Sequence, residues 1–291
     1  KFRKFLFSHA CIEYIHLFES RNKVFDKESV LQETMIVKFK KNTRFPSCIT
    51  ISTSATNKDF SDLHKLDVPY QVVVSDNHYY VHLVTDEEEV KSLQSINHFK
   101  NTLVDLGLKM KTGLVVDFRS RELLRDSEDD STIPLIYSMH IKDGRVRFPQ
   151  GKEKEYIVKD RKGLMQENRN YLFVKRFTAK EERRRLQCGI YLKRYLSSFT
   201  YISSQNKVNF IDGLQGLSEC VVYGLYVIFN STLYDVYYRI LNGSTQVNST
   251  EINAMPVPDM SVIEAMGKQL IAAKNLSVEQ CNNILNHYVN G

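Results

Sequence analysis

The sequence predicts an α/β region followed by an α+β region, and three observations carry that expectation. Residues 1–100 hold several short β-branched or alternating runs with few helical stretches of their own. Residues 101–291 mix alternating runs with long apolar stripes of helical period towards the C-terminal end. The content of 42% hydrophobic residues, with 16 Phe and 16 Tyr, can build a core in each region, and 291 residues accommodate two ordinary domains.

In the first region, residues 11–18 (Cys-Ile-Glu-Tyr-Ile-His-Leu-Phe) alternate partly and predict a strand. Residues 30–38 predict a second, running into the basic Lys38-Phe39-Lys40-Lys41, and residues 47–54 a third. Residues 70–74 and 79–84 predict a hairpin around Asp76-Asn77, and a helix is expected over 86–93. Such a set suits the tail end of an α/β sheet.

The second region starts near Asn101. Thr112-Gly113 and Asp143-Gly144 predict turns, and residues 126–130 (Asp-Ser-Glu-Asp-Asp) an exposed acidic loop. Residues 171–177 predict a strand. Leu186, Cys188, Ile190 and Leu192 recur with period two and predict another. Residues 217–241 are the clearest helical stretch: Val221, Val222, Leu225, Ile228 and Phe229 form one stripe, Leu233, Val236, Tyr237 and Ile240 a second, with a break at Asn230-Ser231. Gly243 is expected to stop that helix. Two more helices close the chain, with capping boxes expected at Ser261/Glu264 and Ser277/Gln280.

The net charge of +6 is unevenly placed. Residues 151–200 carry 14 Lys/Arg against 6 Asp/Glu, a surplus of 8, whereas residues 201–291 carry 4 against 7. A focused basic stretch points to a polyanionic partner, nucleic acid first; a solvated charged face remains the alternative. The longest apolar run, 221–229, falls far short of the roughly 20 residues needed to span a bilayer, and no signal peptide opens the chain. A start at Lys1 inside an apolar-basic run reads as a cut from something longer. The five cysteines form no Cys-x-x-Cys pair and the histidines lack ligand spacing, so buried reduced thiols are expected and no structural zinc. No hydrolase triad, phosphate loop or metal pattern can be assembled.

Three segments could carry chemistry. Residues 171–185 interleave aromatic and cationic groups, which suits phosphate neutralisation and guanine recognition; pairing of Glu181 and Glu182 with the arginines explains them equally well. Residues 242–250 (Asn-Gly-Ser-Thr-Gln-Val-Asn-Ser-Thr) place amides and hydroxyls in a polar loop that serves base edges or simply connects two helices. Glu19, Arg21 and Glu33 lie near strand ends, where an active crevice or surface ion pairs would put them.

Taken in order, the runs 15–25 and 30–33, 112–119, 133–137, Lys175-Arg176-Phe177 with 180–184, and 224–226, 230–233 and 242–248 resemble the gamma-class adenine-N6 methyltransferases of type II restriction–modification systems. The resemblance covers most of residues 12–258. It implies that residues 1–100 are the C-terminal portion of a Rossmann-like methyltransferase catalytic domain, and residues 101–291 a mixed α+β DNA target-recognition domain. It implies double-stranded DNA as partner, a bacterial cytoplasmic setting without membrane contact, and a cognate restriction endonuclease in the same system. Contacts to DNA are expected from Arg119, Arg121, Lys175, Arg176, Lys180, Arg183 and Arg184. Ser244, Thr245, Gln246 and Asn248 are expected to join them; Ser244 stands where the family often has histidine. The full-length enzyme would use S-adenosylmethionine. Neither the glycine-rich cofactor loop nor the Asn-Pro-Pro-Tyr motif is in this sequence, so no catalytic or cofactor-binding residue is expected and the chain alone is expected to be inactive. A stand-alone DNA-binding specificity module, and the modification half of a fused restriction–modification enzyme, are the alternatives.

Overall fold

A computed structural model describes residues 1–20, 23–24, 33–41, 44–61, 63–75, 79–159, 161–179 and 181–289. The chain divides into two compact units, Lys1–Ser95 and Ile96–Gly291.

The first unit holds a four-stranded mixed sheet. A short helix α1 (Phe2–Phe7) leads into β1 (Cys11–Phe18), followed by β2 (Thr34–Lys40), β3 (Cys48–Ser54) and β4 (His64–Pro69). The spatial order is β2-β1-β3-β4; β1 runs parallel to β3 and antiparallel to β2. The two central strands are the buried ones, through Ile12, Ile15, Ile49 and Ile51. His16 lies buried between the hydroxyls of Ser52 and Ser54, at 2.7 and 3.0 Å, and burial lowers its pKa. The expected hairpin over 70–84 is reduced to a few inner pairs, because residues 70–73 turn helical. Pro69 ends β4 and caps a one-turn helix, α2 (Tyr70–Val73), whose Tyr70 and Val73 are buried. Val74 bridges Val81, the Val73 carbonyl accepts the His82 amide at 2.7 Å, and the Tyr80 carbonyl accepts the Ser75 amide at 2.9 Å. Asp76-Asn77, Arg21 and residues 30–32 lie outside the described residues. Helix α3 (Glu87–Asn97) overlaps the expected 86–93.

The second unit stacks two sheets. Its strands are β5 (Leu108–Thr112), β6 (Leu124–Arg125), β7 (Thr132–Ile136), β8 (Ile141–Lys142), β9 (Arg145–Val146), β10 (Tyr156–Val158), β11 (Gln166–Glu167), β12 (Tyr171–Lys175), β13 (Cys188–Tyr191), β14 (Tyr201–Ser204) and β15 (Val208–Gly213). They form one sheet of order β11-β14-β7-β10-β6 and another of order β5-β15-β12-β13-β9-β8. Alternation along β7 ties the layers together. Ile136 joins the core with Tyr171, Phe173, Tyr191 and Phe210 of the second sheet, while Leu135 packs on the other face with Ile133 and Ile157.

The helices follow: α4 (Glu219–Asn230), α5 (Thr232–Leu241), α6 (Ser249–Ala254), α7 (Met260–Ala273) and α8 (Val278–Val289). The break at 230–231 is real, because Ser231 caps α5 by accepting the Tyr234 amide, as Ser218 caps α4 through Val221. Residues 221–230 of α4 are all buried, with β12 and β13 on one side and α7 and α8 on the other. Gly224 and Gly267 make the α4–α7 crossing possible. A Cβ on Gly224 would lie 1.9 Å from the Ile263 carbonyl oxygen, and one on Gly267 1.8 Å from that of Cys220.

Three local expectations are corrected. Thr112 ends β5 and Gly113 continues it: its amide bonds the Val208 carbonyl, and a Cβ there would meet the Gln205 carbonyl oxygen at 2.1 Å, so the glycine permits a close approach and not a turn. Gly243 does not stop α5; Asn242 does, in an extended conformation, with its side-chain oxygen accepting the Ser244 amide. Ser261 lies inside α7, whose N-cap is Asp259, and the Asp259 carboxylate is engaged by Asn101 at 2.5 Å. Ser277 does cap α8, through the Gln280 amide. All five cysteines are free; Cys48 is exposed and Cys220 half-buried, against the expectation of five buried thiols. Among the described residues no helix is long and apolar enough to cross a membrane.

Candidate nucleic-acid interface

The basic segment after β12 and the polar loop between α5 and α6 meet along a short seam. Phe177 and Gln246 form an antiparallel bridge; the Val247 amide donates to the Arg176 carbonyl at 2.7 Å, and the Thr178 amide to that of Thr245 at 3.1 Å. The loop is anchored beyond the seam as well. Asn209 of β15 donates to the Val247 carbonyl at 2.7 Å, and both ends of the Asn253 amide bond the Met110 backbone, fixing α6 on the edge of β5.

Arg185 joins the two segments from beneath. Its side chain is fully buried, with 0% exposure. The guanidinium donates to Thr178 Oγ1, to the Asn242 carbonyl at 3.1 Å and to the Ser244 carbonyl at 2.5 Å, and lies over the Tyr238 ring. Burial pushes its pKa down, while Tyr238, Asp235 and Glu251 pull it up. Asp235 on α5 receives the amides of Arg185 and Leu186, both at 2.8 Å, on one oxygen and Arg239 Nε on the other. Glu251 closes the lower rim by accepting from Tyr238 and Asn242. A buried charge satisfied by carbonyls in this way fixes geometry more than it adds net stability.

The expected contact residues divide. Arg183, Ser244 and Thr245 are exposed on the seam, and Lys175 is half-buried beside it. Arg176 is tied inward, to the Asn206 carbonyl at 3.0 Å and to Gln246 Oε1 at 3.3 Å. Arg184 also points inward, donating to the Ser231 carbonyl, with Asp235 at 3.9 Å. Asn248 starts α6, its amide on the Tyr238 hydroxyl and its side chain on Glu251. Lys180 lies outside the described residues. Arg119 and Arg121 are exposed on a short 3-10 stretch, which is linked to the seam through one turn: Gln205 holds Asp117 at 2.7 Å, and the next two carbonyls, of Asn206 and Lys207, accept from Arg176. Two arginine–phenylalanine pairs thus flank the 205–207 turn, Arg119 with Phe118 and Arg176 with Phe177, both rings exposed, at 66% and 44%.

Sequence reasoning took Arg185 only as one cation of the segment 171–185, and missed Asp235 and Tyr238. One signal was present: Asp235 is a lone carboxylate within the apolar stretch of α5, and such a residue needs a partner.

Arg119, Arg121 and Arg183 are exposed, two aromatic rings lie beside cations, and the amide loop is held on the frame, the kinds of group that contacts to a polyanion use. The chain is 34% identical over 276 residues to the type II methyltransferase M.BsuBI of Bacillus subtilis, covering 93% of this chain and 54% of that protein. It is 32% identical over 276 residues to the type II methyltransferase M.PstI of Providencia stuartii, covering 92% and 54%. The resemblance to type II methyltransferases therefore holds over nearly all of this chain, which spans about half the length of those relatives. No family model matches. Among solved structures, the type IIL restriction–modification enzyme MmeI in complex with DNA aligns with a TM-score of 0.52 at 10% identity, over 97% of this chain and 43% of that one, a likeness of fold. The type IIG restriction endonuclease BpuSI aligns at 0.47 with 12% identity, over 94% and 39%.

Proposed function

We propose that this chain is the DNA-reading part of a site-specific adenine-N6 DNA methyltransferase of a restriction–modification system. In this reading residues 1–100 complete a Rossmann-like catalytic domain and residues 101–291 are the target-recognition domain. The supporting observation is the seam, where a basic segment with Arg183 exposed and an amide- and hydroxyl-rich loop are held together by buried Arg185. Phosphate contacts from Arg183, Arg119 and Arg121 would set register on the duplex, and loop side chains would read base edges.

S-adenosylmethionine does not fit the residues present. The first 106 residues contain no glycine, so no glycine-rich turn can let backbone approach the cofactor at the strand ends of the first unit. In this reading the cofactor and the flipped adenine are held elsewhere in the full-length enzyme. The test is duplex binding by the chain as a function of salt. The expected result is affinity that falls steeply and linearly in log–log form as phosphate contacts release counterions. Equal, salt-insensitive retention of a duplex and a neutral polymer would overturn the reading.

A further inference from the structure

We infer that Gln246 is a specificity-determining residue that reads guanine with the amino end of its amide, and that Arg176 is the positioning residue that makes it do so. The inference rests on the DNA reading above and goes beyond it in assigning one base preference to one side chain.

Gln246 is held by its backbone on both sides. Its amide donates to Ser244 Oγ at 3.3 Å, and its carbonyl accepts from the Tyr238 hydroxyl at 3.2 Å and from Asn242 Nδ2 at 3.3 Å. Its neighbours Thr245 and Val247 are bonded across the seam to Thr178 and Arg176. The side chain is set by Arg176, whose guanidinium reaches Oε1 at 3.3 Å while bonding the Asn206 carbonyl at 3.0 Å. Arginine only donates, so the amide must turn its oxygen inward to meet it. The amino group is then the end left over, and among the described residues it has no hydrogen-bond partner. Gln246 is half-buried, and Ser244 and Thr245 in the loop and Phe177 across the bridge are exposed.

A glutamine free to rotate matches adenine in the major groove, its oxygen accepting from N6 and its amino group donating to N7. With the oxygen turned to Arg176 that bidentate match is lost. What remains is a donor carrying two hydrogens, which complements the adjacent acceptors N7 and O6 of guanine.

Selection from a randomised duplex library by the purified chain tests this, with Gln246→Ala, Gln246→Glu and Arg176→Met alongside. The unchanged chain should show a guanine preference at one position that Gln246→Ala reduces by about 10-fold, other positions keeping theirs. Replacing that guanine by 7-deazaguanine should weaken binding of the unchanged chain and not of Gln246→Ala. Gln246→Glu keeps an oxygen for Arg176 but turns the outward end into an acceptor, so the preference should move to cytosine or adenine, whose amino groups donate. Arg176→Met frees the amide and should raise adenine relative to guanine at that position alone. Unchanged base profiles in both Gln246 variants, with salt-dependent binding intact, would make Gln246 a loop strut and end the inference while sparing the DNA reading. Failure of the unchanged chain to retain any duplex would instead overturn the DNA reading itself, and the inference with it.

Discussion

Arg185 Nη2 donates to the carbonyl of Ser244 at 2.5 Å, across a sequence separation of 59 residues. The same guanidinium holds the Asn242 carbonyl, so one buried cation sets the start of the polar loop against the basic segment. Arg185→Met fills similar space but leaves both carbonyls without their donor. The expected loss is about 3 kcal/mol of unfolding free energy, from broken charge-assisted bonds and newly unsatisfied buried groups. Chemical denaturation measures it, and a loss under about 1 kcal/mol would contradict the clamp.

Stability should fall with acid because of a second buried pair. His140 Nε2 lies 2.6 Å from Glu155 Oε1, and His140 Nδ1 accepts the Tyr137 amide, an arrangement that requires the neutral ring. Burial lowers the imidazole pKa, against the pull of Glu155 and with the help of Lys152 and Lys142. Burial acts to raise the Glu155 carboxyl, but His140 and the amides of Gln150 and Gly151 outweigh it and hold it low. Both shifts have the same consequence: the unfolded chain binds protons more readily. Stability is therefore full above the unfolded imidazole value of about 6.5 and declines as pH drops below it, with Glu155 adding a further decline below about 4.5. Melting temperatures from pH 8 to pH 5 check this; His140→Gln should flatten the upper part of the curve, and an unchanged profile in that variant would assign the acid sensitivity elsewhere.

Exposed and inward-tied arginines should behave differently on DNA. Arg119→Glu with Arg183→Glu should weaken duplex binding and reduce the slope of log affinity against log salt by about 2. Thermal stability should move by no more than about 0.5 kcal/mol, because neither side chain is buried. Arg184→Glu should do the reverse, costing stability through the Ser231 carbonyl and bringing a second carboxylate near Asp235. If the exposed pair alters only stability, the basic rim is not the contact surface.

The 291-residue chain should transfer no methyl group to DNA. Incorporation of labelled methyl from S-adenosylmethionine at the level of a buffer control is the expected result. Turnover, or saturable cofactor binding by calorimetry, would mean that the residues present assemble a site that the glycine-free first unit argues against.

Much of the fold is legible where the cause is local. β1 announces itself by partial alternation, β3 by a β-branched run, and the α4–α5 break by a serine that can cap. The helix over Tyr70–Val73 is hidden, since its residues favour strand and only Pro69 and the bonds from His82 reverse that preference. At the site, the basic and polar segments are visible in sequence, but their meeting is not. It depends on Arg185, Asp235 and Asn209, whose contacts across the seam reach residues 38 to 59 positions away. The inward turn of Arg176 and Arg184 is hidden for the same reason: composition counts cations and does not say where they point.

The Asp235 carboxylate, which caps the amides of Arg185 and Leu186 and holds Arg239, separates two kinds of duty along a few residues of chain. Arg184 and Arg185 are committed to the frame, whereas Arg183 and Thr245 present exposed side chains for which no hydrogen bond is found among the described residues. On the proposed DNA reading, mutation at the exposed positions alters what is bound without loosening how the seam is mounted. A scaffold divided in this way lets new preferences evolve by single changes at its rim, with the foundation inherited intact.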